Sequence, residues 1–172
     1  MENIVKKPKN KAAILDTMIF DELLKNKEAL EKLPADFKYI ATSIQYEQIK
    51  NIPIDKSQHR NNLLGIFNEI VDAKIPSTNE EWFCFDNSSF DNSRFINDNE
   101  EEILANLVNN NPNNYPDALI ILTALNLTAQ YPHLIIVSND KKAPFNTAKR
   151  ILVNTTIQIL SLQDFIDLCA TI

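Results

Sequence analysis

Leu134-Ile135-Ile136-Val137-Ser138-Asn139-Asp140 is the stretch that decides how this chain reads. Its first four residues are apolar and mostly β-branched, with no polar alternation, which is the pattern of a strand buried on both faces. The polar turn that follows ends on an acid. Downstream, Phe145 to Ile151 reads as a helix and Ile157-Gln158-Ile159-Leu160 as a last strand. Ser161-Leu162-Gln163-Asp164 then opens a final helix with a near capping box, Asp standing where Glu or Gln is usual. Upstream, Pro116 suits the first turn of a helix running to about Gln130, with Leu119, Ile120, Leu122, Ala124 and Leu125 apolar.

The first third of the chain repeats the alternation. Lys11-Ala12-Ala13-Ile14-Leu15 is a short buried strand ending at Asp16, and Met18, Ile19, Leu23 and Leu24 follow at helical spacing. Phe37 to Ala41 is a second strand. Thr42 or Ser43 caps the helix after it, striped by Ile44, Ile49 and Ile52. Leu63, Leu64, Phe67, Ile70 and Val71 predict an amphipathic helix over 55–73, and Trp82 to Phe85 a short strand. The polar, Asn-rich region 86–114 carries a helix over 99–108 and ends in a loop. Strands alternating with helices predict an α/β fold: three layers, α/β/α, around a four- to five-stranded, mainly parallel sheet. The chain reads as a single domain over 1–172 with a helical and loop insertion around 53–114.

Composition narrows the chemistry. Among 172 residues there are one Gly, two His and two Cys. A single Gly excludes the GxGxxG and GxxxxGK[ST] nucleotide loops, and two distant Cys make neither a zinc site nor a disulfide framework. A formal net charge of −6 argues against coating nucleic acid through bulk charge, while leaving room for a small metal-filled site. The N-terminal stretch lacks the apolar core of a signal peptide, and no apolar run approaches the ~20 residues of a membrane helix. The expectation is a cytoplasmic protein without a membrane partner.

Carboxylates therefore carry any chemistry. In parallel α/β sheets, ligands bind beyond the carboxyl ends of the strands. Asp16 and Asp140 follow strands there, Asp117 opens a helix returning to that end, and Glu47 lies early in the helix after the second strand. Each alone is ordinary turn, cap or surface chemistry. Together they repel one another and raise each other's pKa, a situation that a divalent cation relieves. All-oxygen ligands without His or Cys point to Mg²⁺ or Mn²⁺.

Ile14-Leu15-Asp16-Thr17, Ile44-Gln45-Tyr46-Glu47, Asp117-Ala118-Leu119-Ile120 with Ala124, and Val137-Ser138-Asn139-Asp140 together resemble the ordered motifs of a PIN domain. The resemblance runs from about Lys11 to the helix at Leu162–Leu168. It implies a metal-dependent endoribonuclease leaving 5′-phosphate and 3′-hydroxyl ends, in small bacterial members often a VapC-like toxin held by an antitoxin protein and commonly a homodimer. It further implies that Asp16, Asp117 and Asp140 hold the metal and that Glu47 positions or deprotonates the attacking water. Thr17 and Ser138 are implied as hydrogen-bonding supports, and Asn139 stands between Ser138 and Asp140 as a support or substrate contact. The chain departs from a compact toxin in its extra length between Glu47 and Asp117. It also lacks an acid shortly after Asp140, where Lys141-Lys142-Ala143-Pro144-Phe145 supplies none. A catalytically weak PIN-like module that binds a protein partner or RNA is the alternative these departures leave open.

Other features read more plainly. Asp86, Asp91 and Asp98 lack the spacing and glycine of a calcium loop. Trp82, Phe83, Phe85, Phe90 and Phe95 are core or loop anchors before they are base-stacking platforms. Lys6, Lys7, Lys9, Lys11, Lys141, Lys142, Lys149 and Arg150 read as solvated surface with phosphate contact as the second use. Cys84 and Cys169 read as small buried hydrophobes.

Overall fold

A computed structural model describes residues 10–75 and 98–170 of the chain. The short apolar segments pair in one five-stranded, all-parallel sheet. Its strands are β1 (Lys11–Leu15), β2 (Phe37–Thr42), β3 (Ala73–Ile75), β4 (His133–Val137) and β5 (Gln158–Leu160), in the spatial order β3-β2-β1-β4-β5. The helices are α1 (Thr17–Lys25), α2 (Lys27–Glu31), α3 (Ser43–Lys50), α4 (Ser57–Ile70), α5 (Asp98–Val108), α6 (Tyr115–Leu127), α7 (Phe145–Ile151) and α8 (Leu162–Ala170).

Alternation along the strands divides the core between the two faces of the sheet. Ala12, Ile14, Ile40, Leu134 and Ile136 pack toward α5, α6 and α7. Ala13, Leu15, Tyr39, Ile135 and Val137 pack toward α1, α3, α4 and α8, where Phe165 meets Phe37 edge-on at 5.1 Å. This is the three-layer α/β/α arrangement expected from the alternation of strand and helix. α6 is buried on nearly all sides from Ala118 to Ala124, so the first turn of an enclosed helix fixes where Asp117 stands.

The edge strand β3 is a difference from the sequence reading. The apolar stripe predicts helix through residue 73, but the helix stops at Ile70 and Asp72 turns the chain into the sheet. Its backbone N–H donates to the Tyr39 carbonyl at 2.9 Å and its carboxylate accepts the Tyr39 N–H at 2.8 Å. Ala73-Lys74-Ile75 is too short to show a period of its own. The predicted strand at Trp82 to Phe85 lies outside the described residues, as do Lys6, Lys7, Lys9, Cys84, Asp86 and Asp91. Part of the 53–114 stretch is built into the layers: α4 packs on α1 and α3, β3 extends the sheet and α5 packs on α6. Among the described residues, no helix is long and apolar enough to cross a membrane.

Gly65, the one glycine, lies exposed within α4, and a Cβ built on it meets nothing within 4 Å. Gly65→Ala is expected to stabilise the protein by about 0.5–1 kcal/mol through helix propensity and a less free unfolded chain, read from urea denaturation midpoints.

Candidate functional site

β1 is the centre of the sheet. The chain steps outward through β2 and β3 on one side, then returns to place β4 and β5 on the other. The direction of winding reverses between β1 and β4, which is where an open parallel sheet leaves a crevice beyond its strand ends. Leu15 pairs in register with Val137, so the residues that follow, Asp16 and Ser138, emerge side by side at that crevice.

Asp16 is buried, 4% exposed, and caps α1. Its Oδ1 accepts the Thr17 N–H at 2.6 Å and its Oδ2 accepts the Ser138 hydroxyl at 2.8 Å. The same Ser138 oxygen accepts the Asp140 N–H at 3.1 Å, so one hydroxyl ties the two acids together. Asp140 in turn accepts the Lys142 N–H at 2.8 Å, which shapes the loop after β4. Each carboxylate oxygen has two lone-pair positions, so Asp16 retains acceptor capacity beside these bonds.

Asp117 stands partly buried in the first turn of α6, an acid at the positive end of a helix dipole. Its pKa is nevertheless pushed up to about 7, by burial first and then by the charges of Asp16 and Asp140. Burial also raises the carboxyl of Asp16, with Asp140 adding to the effect, while the bonds from Ser138 and Thr17 pull the other way. The three aspartates thus share one electrostatic neighbourhood in which their charges oppose one another.

Glu47 is not among the charges that raise Asp16 or Asp117. Its carboxylate is 41% exposed and stands 3.7 Å from Lys50 on its own helix. Gln45 and Gln48, three residues apart on α3, both reach toward the end of β1 and the start of α1. Gln48 accepts the Thr17 hydroxyl bond, so Thr17 joins α1 to α3. Gln45, fully buried, accepts the Thr42 N–H at 2.7 Å and donates to the Leu15 carbonyl at 3.1 Å. Asn139 is a support: its Oδ1 accepts the Leu162 N–H at 3.0 Å and its Nδ2 donates to Glu22 of α1. Gln45, Gln48 and Glu22 carry roles that the sequence reading missed. The capping-box spacing of Thr42 and Gln45 was the visible signal for the first; nothing local marks the others.

The donor set is chemically suited to a hard divalent ion: three carboxylates, two of them made reluctant to ionise by burial and by their neighbours. As they stand, no three acid, His or Cys side chains among the described residues are gathered into a ready coordination group. No protein-family model matches the chain, and no curated protein matches it. The class that fold and site define is a three-layer α/β/α protein with three electrostatically coupled aspartates at the switch point of a parallel sheet.

Proposed function

We propose that the protein is a PIN-like, Mg²⁺- or Mn²⁺-dependent endoribonuclease, acting as the toxin of a toxin–antitoxin pair. The observation that carries the reading is the mutual opposition of Asp16, Asp117 and Asp140 at the switch-point crevice, a charge problem that a divalent ion resolves. The three-layer parallel fold, which the motif resemblance implies, supports it.

In this reading Asp16, Asp117 and Asp140 hold the ion. When bound, the ion neutralises charge on an RNA phosphodiester and readies a water for attack. Ser138 keeps Asp16 and Asp140 in a fixed relation, and Thr17, bonded to α3, steadies the start of α1. Asp117, whose carboxyl burial and the neighbouring aspartates raise to about 7, would have to be ionised to serve as a ligand. Glu47 is the group that the resemblance assigns to the attacking water.

The second reading, a module that binds RNA or a protein partner without cutting, is favoured by one observation: Glu47 pairs with Lys50 at 3.7 Å and is not among the charges that raise Asp16 or Asp117. Thermal unfolding with millimolar Mn²⁺ separates the two. The nuclease reading expects Mn²⁺ to raise the melting temperature of the wild type and Asp16→Asn to abolish that rise. An unchanged wild-type melting temperature would favour the second reading. Slowed growth on expression, relieved by Asp16→Ala, is the corresponding expectation for a toxin.

A further inference from the structure

We propose that Gln45 is the positioning residue of Asp16: its carboxamide is spliced into the sheet between β1 and β2 and fixes the peptide plane from which the Asp16 carboxylate projects. The role in metal binding rests on the nuclease reading above; the splice itself does not.

The argument starts from the ladder. The Asp16 N–H donates to the Val137 carbonyl at 2.9 Å, so the peptide joining Leu15 to Asp16 turns its N–H toward β4 and its C=O toward β2. β1 and β2 pair in parallel register through Ile14 and Ile40. One step further, a parallel ladder would join the Leu15 carbonyl to the Thr42 N–H. Neither group makes that bond. The Thr42 N–H is taken by Gln45 Oε1 at 2.7 Å, and the Leu15 carbonyl accepts from Gln45 Nε2 at 3.1 Å. The side-chain amide occupies the missing rung as a surrogate peptide group, accepting on one side and donating on the other.

Two consequences bear on the site. The strand ends are held apart by the width of an inserted amide, which sets where β1 releases the chain. The Leu15–Asp16 peptide is also pinned at both ends, N–H to β4 and C=O to Gln45, in a place from which water is excluded. A buried carbonyl stripped of its donor seeks another, and turning this peptide to find one would swing Asp16 away from Ser138 and Asp140. The task requires a donor and an acceptor on one planar group at the reach of a glutamine. Methionine has the reach without either.

The test compares the full-length wild type with Gln45→Met. Backbone hydrogen exchange by NMR should show faster exchange of the Asp16 amide in the variant, with the Ile14 and Ile40 amides deeper in the sheet unchanged. Mn²⁺ binding followed by electron paramagnetic resonance should weaken by about tenfold, the size usual for removing a group that orients a metal ligand. An Asp16 amide exchanging as in the wild type overturns the proposal. So does a variant that only melts earlier while the folded protein keeps wild-type Mn²⁺ affinity. A wild type that binds no Mn²⁺ overturns the nuclease reading instead, and the exchange data still decide the splice. If Gln45→Met does not fold, the wild type alone suffices: its Gln45 side-chain amide protons should exchange far more slowly than those of exposed Gln163, and equal rates overturn the proposal.

Discussion

Replacing Asp117 with Asn is expected to remove function and add stability in one step. Metal-dependent RNA cleavage should fall by at least about 100-fold, because changes merely around a metal ligand already cost 10–100-fold. The metal-free variant should nevertheless be harder to unfold at pH 8. The sign follows from linkage. The Asp117 carboxyl is raised from 3.8 to about 7 in the folded protein, so ionising it is harder in the folded state than in the unfolded one. Its contribution is fully favourable below pH 3.8 and is lost as the pH climbs to about 7. At about 1.4 kcal/mol per pKa unit, and allowing for the solvent that reaches a partly buried group, the loss amounts to about 2 kcal/mol above neutrality. Asparagine carries no charge and avoids it. Urea denaturation at pH 4 and pH 8 checks the expectation: wild type and variant should match at the lower pH and separate at the higher. A variant less stable than wild type at pH 8 would mean that the crevice does not oppose the charge on Asp117.

The affinity of the site for Mn²⁺ should rise steeply with pH and then level off. Metal and proton compete for Asp117, and each proton displaced gives tenfold per pH unit below the pKa of the group that releases it. With Asp117 near 7, affinity should increase by about 50-fold from pH 5 to pH 7 and by only about twofold beyond. The raised carboxyl of Asp16 steepens the acid limb. Calorimetry in buffers of different ionisation enthalpy should count about one proton released per ion at pH 6. Affinity that stays flat across this range would separate metal binding from the two raised carboxyls.

Much of the fold was legible because its information is local. β4 announces itself in Leu134–Val137 by composition, α6 by an apolar run with Pro at its start, and Asp16 by its place between a strand and a helix. β3 was not legible: three residues, one of them Lys74, have no pattern of their own and become a strand only because β2 offers an open edge. At the site, the positions of Asp16, Asp117 and Asp140 followed from topology, since all three sit at ends of elements. The supporting roles of Gln45 and Gln48 did not follow, because their partners, Leu15 and Thr17, lie about 30 residues away in the chain. Glu22 could not be read at all. Its partner Asn139 lies 117 residues away, and nothing in either neighbourhood foretells the meeting. The capping box expected at Ser161 forms in part: Ser161 accepts the Asp164 N–H at 3.1 Å, while the shorter Asp side chain reaches only the serine hydroxyl.

The bond from Ser138 to Asp16 spans 122 residues of chain, and Asn139 fastens the same loop to the start of α8. During synthesis, Asp16 has no Ser138 to hold it until the chain between them has followed. The loop that carries Asp140 then waits for α8 to give it a footing. Asp16 and the Asp140 loop therefore come into their final relation only once β4 and α8 have both been made, an order set by topology.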